Sequence, residues 1–225
     1  KRQSQDNTAE ILNEYAKADS RIVVIHRQNK GLVSARKEAI KIASGEYVCY
    51  VDADDWIDSE MYMIMYNEGI ELGVDIVSVG ICRDFRNGTS YLEPNIIPQG
   101  IYRGEEIKNN ILPKVIDTDN FFQWGLSLSL CHYAFKKEIL IHNQLVVDDR
   151  IQMGEDAACS IFCLYQCNSI ALIDRCLYHY RQSDSSMKRT SKKNSLERCQ
   201  ILYRLMVERA SIFQELSLIH ISEPT

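Results

Sequence analysis

The chain has 225 residues, 45% of them apolar and 25% charged, with a net charge of −5. Such a composition suits one large globular domain, or a domain with a subdomain. It shows no basic footprint for nucleic acid, no apolar run near the ~20 residues that a membrane span needs, and no signal-peptide pattern at its start.

In chain order, Thr8 to Ala18 reads as a helix with Ile11, Leu12 and Tyr15 on one face and Asn7 or Thr8 as its cap. Arg21 to His26 reads as a short strand and Gln28 to Gly31 as a turn. Leu32 to Ala43 reads as an amphipathic helix with Leu32, Ala35, Ala39, Ile42 and Ala43 on its apolar stripe, closed by Gly45 as a left-handed cap. A central strand over Tyr47 to Val51 runs into Asp52-Ala53-Asp54-Asp55-Trp56. A helix follows from about Ser59 to Leu72, capped by Asp58 and closed by Gly73, and then a strand over Asp75 to Cys82. This alternation predicts βαβ units and a mainly parallel sheet with flanking helices.

The rhythm breaks over residues 83–101, where Asn87, Gly88, Pro94, Pro98 and Gly100 mark turns and a hairpin. Gly104 to Val115 reads as a short helix, and Phe121, Phe122 and Trp124 as packing anchors. A new element starts at Tyr133; Glu155 to Gln166 reads as a helix, Ile170 to Tyr180 as a strand, Ser183 to Lys193 as a polar stretch and Leu196 to Leu216 as a basic amphipathic helix. Eight cysteines include no Cys-x-x-Cys pair; Cys159, Cys163 and Cys167 recur every four residues, the pattern of a buried helix face in a reduced protein.

The chemistry concentrates after the central strand. Unpaired carboxylates are costly to bury, so Asp52, Asp54 and Asp55 belong where that strand leaves the sheet. Ligands of open α/β sheets bind at those carboxyl ends. Two acids spaced Asp-x-Asp there suit a hard divalent cation, which takes one or two protein carboxylates and completes its shell with water and substrate phosphates. The plainer reading is an acidic loop after a strand.

Four segments in order resemble the family-2 glycosyltransferases of GT-A fold, over roughly residues 4–188. They are Gln5 to Ile11; Asn29-Lys30-Gly31 through Ala35-Arg36; Gly45-Glu46-Tyr47 through Asp52-Ala53-Asp54-Asp55-Trp56; and Gly154-Glu155-Asp156 with the later Tyr178-His179-Tyr180-Arg181. Lys37 and Ala39 depart from the family's Asn and Gly. The family's opening strand, helix and second strand are not found, so the resemblance implies an N-terminally truncated chain. Lys1-Arg2-Gln3 and residues 217–225 read as sequencing-adapter read-through. The expected division is 4–115 as the remnant of a nucleotide-sugar-binding core, 116–188 as the acceptor and base region, 189–216 as a C-terminal helix, and 217–225 as an artefactual tail.

The resemblance implies transfer of a sugar, with inversion, from a nucleotide sugar (a UDP-sugar first) to a glycan or lipid-linked acceptor. It implies Mg2+ or Mn2+ held by Asp54 with Asp52. Asp156 is the expected general base, with Glu155 beside it. Asp52, Asn29, Gly31, Arg36 and Arg181 are expected at the nucleotide sugar, Arg181 on its diphosphate. Asp55 either ligates or caps the next turn. His179 is a candidate third ligand, though a satisfied structural histidine suits it better. Ser183 to Met187 resembles a loop near the donor phosphates, and Trp124 is a candidate sugar platform. The expected setting is cytoplasmic, with basic residues from Lys188 to Arg209 available to lipid headgroups at the inner face of the cell membrane. The truncation implies that these residues alone transfer no sugar. Two other readings stand beside this one: a phosphatase of haloacid-dehalogenase type, and a non-catalytic domain that binds sugar or a partner.

Overall fold

A computed structural model describes residues 7–116, 125–151, 153–182 and 195–212. Helix α1 (Thr8–Ala18) has the expected bounds, but Ile11, Leu12 and Tyr15 remain exposed. Arg21 to His26, expected as a strand, is irregular. No described strand lies beside it to take its backbone hydrogen bonds, and Val23 is 71% exposed.

Helix α2 (Leu32–Ile42) starts at Gly31, whose φ of 94° is left-handed. Its buried side carries Val33, Arg36 and Ile40, while Leu32 and Ile42 are exposed. The apolar stripe expected from the sequence is therefore on the wrong side. Arg36 is drawn inward by acids, and the helix turns with it. Gly45 is not in the left-handed region either. The helix end is met instead by Lys137, whose Nζ donates to the Ala43 carbonyl at 2.5 Å.

Strand β1 (Tyr47–Cys49) is short and half-buried, and lies at the edge of the described sheet. Then come β2 (Trp56–Ile57) and α3 (Met61–Met65), which widens into a π-turn over Tyr66–Ile70. Gly69 allows that turn to sit on the sheet, since a Cβ there would lie 2.4 Å from Val77 Cγ2. Gly73 closes it at φ 68°. Strand β3 (Ile76–Phe85) turns at Asn87-Gly88 into β4 (Ser90–Glu93). There follow β5 (Gly100–Arg103), α4 (Ile107–Ile111 as a π-turn, then Leu112–Ile116), a 3-10 turn over Leu130–His132, β6 (Tyr133–Lys136) and α5 (Lys137–Val146). Helix α6 (Glu155–Gln166), strand β7 (Ser169–Gln182) and helix α7 (Ser195–Ile212) complete the described elements.

The sheet runs β1-β6-β3-β7-β2, with β4 on β3 and β5 on β7. The expected mainly parallel pairing is corrected: only β3 and β7 pair parallel among the described strands, and the others are antiparallel. A hairpin imposes the antiparallel β3–β4 pair, and β6 is inserted between β1 and β3, antiparallel to both. Strands β1, β3 and β7 nevertheless share one direction, so their carboxyl ends meet at one edge. Strands from both sides of residue 116 contribute to this one sheet.

Alternate side chains fill two cores. Ile76, Phe135, Ile170 and Leu172 pack with Cys159 and Cys163 of α6. Val77, Ala134, Ala171 and Ile173 pack under Met61 and Met65 of α3. The cysteine stripe is thus buried, as its spacing implies. Helix α7 seats Arg209 inward, with Nη1 donating to the Ala158 carbonyl at 2.8 Å and the guanidinium over Phe162 at 3.8 Å. Arg209 therefore does not belong to a lipid-facing basic surface; Arg204 is exposed. Lys188, Arg189, Lys192, Lys193, the Arg198 side chain, Phe121, Phe122, Trp124, Ser183 to Met187 and the tail lie outside what is described.

Asp75 ties three strands together. Its carboxylate accepts from Lys136 Nζ at 3.0 Å, from Asn168 N at 2.7 Å and from Ser169 N at 3.1 Å. Replacing Asp75 with Ala orphans the buried Ser169 amide, removes the acceptor of the part-buried Asn168 amide, and is expected to lower stability by about 2–3 kcal/mol, read as a shifted denaturation midpoint at unchanged slope.

Candidate active site

The shared strand edge opens into a cleft of about 1090 Å³. From the β1–β2 loop it is lined by Asp52, Asp54 and Asp55; from the start of α6 by Gly154, Glu155 and Asp156. Arg36 of α2, Arg83 of β3, Glu93 of β4, and Tyr178 and Tyr180 of β7 also line it. The two acidic motifs, far apart in sequence, thus face one space.

Arg36 joins them. It is 5% exposed, and its Nη2 lies 3.4 Å from Asp52 Oδ1, while Nη1 donates to Asp156 Oδ1. The guanidinium lies over the Tyr50 ring at 5.0 Å. Burial opposes its charge, but Asp156 and then Asp52 outweigh that, and the net shift of its pKa is upward. Asp156 Oδ2 also accepts from Leu130 N at 3.3 Å, so its carboxylate is fixed from two sides. Gly154, left-handed at φ 82°, lets the chain turn into α6; a Cβ on it would meet Leu202 Cδ2 of α7 at 2.6 Å. Beside Asp156, the Glu155 carboxyl is pushed above its usual range, by burial first and by the Asp156 charge second.

Asp55 is engaged with β7. Tyr178 Oη donates to its Oδ2 at 2.7 Å and Arg181 N to its Oδ1 at 2.9 Å. Its own amide donates to the Asp52 carbonyl at 3.0 Å, and the Asp52 amide to Tyr178 Oη at 3.2 Å. Burial raises the Asp55 pKa while these hydrogen bonds oppose it. Asp55 therefore anchors the acidic loop.

Asp54 is exposed and has no hydrogen bond or ion pair among the described residues. A free carboxylate beside Asp52 suits a hard cation that draws most of its shell from substrate and water. Asp52, Asp54 and Asp55 do not close around one point as a three-ligand cage; the one such group among the described residues is Cys82, Asp84 and His179.

Not every expected residue arrives. Asn29 and Gly31 do not line the cleft; the Asn29 side chain accepts from Gly31 N at 3.1 Å and shapes the turn before α2. Arg181 does not line it either, and its guanidinium lies over Trp56 at 5.1 Å. His179, on the other face of β7 from Tyr178 and Tyr180, stacks on Trp56 with its Nδ1 2.8 Å from Asp84 Oδ2. Sequence reasoning quoted Tyr178 within its motif but gave it no role, although the Tyr-x-Tyr alternation was an available signal. It also missed Asn95, a cleft residue whose buried Nδ2 has no hydrogen-bond partner among the described residues. Cys131 lines the cleft, but burial pushes its thiol up to about 12, so it is no nucleophile at neutral pH.

His132, 1% exposed, also lines the cleft. Its Nδ1 lies 2.7 Å from the Val79 carbonyl and its Nε2 3.2 Å from that of Ser127. Burial nonetheless pushes its pKa down to about 4, so the ring is neutral and donates one of these bonds.

The fold and the cleft describe an α/β protein with an acidic, ligand-sized site at its strand ends. A family model of Glycosyl transferase family 2 matches residues 2–138, and the chain belongs to that family. It is 27% identical over 192 residues to the uncharacterized glycosyltransferase EpsJ of Bacillus subtilis, covering 85% of this chain and 54% of that protein. It is 28% identical over 179 residues to the poly(ribitol-phosphate) beta-glucosyltransferase of Bacillus spizizenii, covering 79% of this chain and 26% of that protein. Among solved structures, S. aureus TarS 1-349 in complex with UDP-GlcNAc is similar with a TM-score of 0.68 at 17% identity, over 91% of this chain and 54% of that chain. The chain spans about half the length, or less, of these proteins, and the fold is of the expected GT-A type.

Two outcomes follow from this geometry. Arg36→Gln is expected to destabilise the fold by about 2–3 kcal/mol in chemical denaturation, because it strands two partly buried carboxylates; Arg36→Lys, which keeps charge but not the fork, should fall between. For His132, between about 4 and the ordinary 6.5 the unfolded chain binds a proton that the folded chain does not. Stability therefore rises with pH across that window, by about 3 kcal/mol in all, and His132→Gln should flatten the rise in a series of denaturation midpoints.

Proposed function

We propose that this chain is the donor-and-base portion of a glycosyltransferase that moves a sugar from a nucleotide sugar to a glycan or lipid-linked acceptor, with inversion. The observation that carries the reading is that the Asp52/Asp54 and Glu155/Asp156 pairs share one cleft and are linked through Arg36. Family membership adds the reaction class and sets aside the phosphatase reading. The UDP-GlcNAc in the TarS complex supports a UDP-sugar as donor. The poly(ribitol-phosphate) beta-glucosyltransferase supports a cell-envelope polymer as acceptor.

In this reading Asp156 takes the proton of an acceptor hydroxyl as its oxygen attacks the anomeric carbon and the bond to the diphosphate breaks. Arg36 and the Leu130 amide hold the Asp156 carboxylate in position. Asp54, with Asp52, would hold Mg2+ or Mn2+, which supplies stabilisation of the negative charge developing on the departing diphosphate. Residues 4–115 would then serve the donor and 116–188 the acceptor. Tyr180 and Arg83, stacked at 5.4 Å, offer a wall for a sugar ring. Among the described residues no helix is long and apolar enough to cross a membrane, and a cytoplasmic setting near the inner membrane face remains part of the proposal.

The full-length parent protein provides the test. Asp156→Asn is expected to lower kcat by about 10²–10⁴-fold with donor affinity nearly unchanged. Asp54→Asn should instead abolish the dependence of UDP binding on Mn2+. Transfer surviving Asp156→Asn at near-normal rate would remove Asp156 as the base.

A further inference from the structure

Behind the acidic cleft, strand register assembles a second set of metal-competent side chains. Cys82 of β3 is the direct partner of His179 on β7, and His179 is in turn the partner of Trp56 on β2. Asp84, two residues beyond Cys82, projects to the same side and pairs with Ser90 of β4. The flanking Ile81, Arg83, Tyr178 and Tyr180 all line the cleft, so Cys82, Asp84 and His179 occupy the opposite face. Asp84 Oδ1 is 3.6 Å from Cys82 Sγ, and Asp84 Oδ2 is 2.8 Å from His179 Nδ1. One ligand atom from each residue lies within 4.8 Å of the others.

We infer that Cys82, Asp84 and His179 bind a borderline-soft divalent cation of the zinc type, with solvent in the fourth position. Usual zinc bond lengths in a tetrahedron place such ligand atoms about 3.4–3.6 Å apart, so the observed spacing needs only small adjustments. The histidine is held for the task. Trp56 stacks on its ring at 5.1 Å and 13°, and Asp58 Oδ2 lies 3.7 Å from Nε2. An outer carboxylate on the far ring nitrogen is the usual support of a metal-bound imidazole, leaving Nδ1 to the ion. Cys82 is buried, while the side chains of Asp84 and His179 are 18% and 22% exposed, which gives an ion a sheltered entry. Thiolate and imidazole select zinc over magnesium, whereas the all-oxygen donors Asp52 and Asp54 have the reverse preference. Binding displaces the Cys82 thiol proton to solvent and ties β3 to β7.

Cobalt(II) titration of the metal-free full chain tests this. One equivalent is expected to give a sulfur-to-cobalt charge-transfer band with the visible bands of a tetrahedral site, and zinc should bleach both. Cys82→Ala should remove the charge-transfer band, Asp54→Asn should keep it, and Asp58→Asn should weaken zinc binding about 10–100-fold. Absence of the band from the wild-type chain, its survival in Cys82→Ala, or its loss in Asp54→Asn would overturn the assignment. The wild-type spectrum decides even if a variant fails to fold.

Discussion

The burial of one guanidinium constrains everything around it. Arg36 sits inside the protein, and carboxylates meet its charge there. Two do, one following β1 and the other, 120 residues beyond Arg36, at the start of α6. This requirement decides which side of α2 faces inward. Val33 and Ile40 enter the core as a consequence, and Leu32 and Ile42 go to solvent. The same contact brings the two acidic motifs to one cleft, so core packing and site geometry have a common cause.

Strand β7 divides the molecule's chemistry by simple alternation. Tyr178 anchors Asp55 and Tyr180 faces Arg83 on the cleft side, while His179 meets Cys82 and Asp84 behind. The asymmetry of side chains follows: carboxylate oxygens in the cleft, and sulfur, nitrogen and oxygen atoms behind it. Trp56 stacks on His179 from one side, and Asp58 lies 3.7 Å from its Nε2.

Much of this was legible in the residues. The bounds of α1 and α6 follow from periodicity, and the acidic loop and the Gly154 turn were visible as motifs. Strand direction was not, because alternation of helix and strand does not reveal that β6 is inserted between β1 and β3. The strand expected at Arg21 to His26 failed because a ladder needs a neighbour, which local sequence cannot supply. The α2 stripe failed because it was drawn from apolar residues alone, while a charged one, Arg36, lies on the buried side. Within the site, acids were found by type and spacing. Arg181 lies over Trp56, away from the cleft-lining Tyr178 and Tyr180, since a strand's Tyr-x-Tyr-Arg run does not say which face looks inward, and the Arg36 bridge depends on a contact across half the chain.

The parallel pairing of β3 with β7 has a consequence for how the protein acquires its shape. The whole stretch between Phe85 and Ser169 must be made and looped out before the two strands can meet. Closure of so long a loop carries a large entropy cost, and contacts of this separation slow folding. The anchor from Tyr178 to Asp55 and the bridge from Arg36 to Asp156 are equally remote in sequence. On a ribosome, therefore, the early acidic loop emerges long before its fasteners, and the cleft is among the last parts of the molecule to take form.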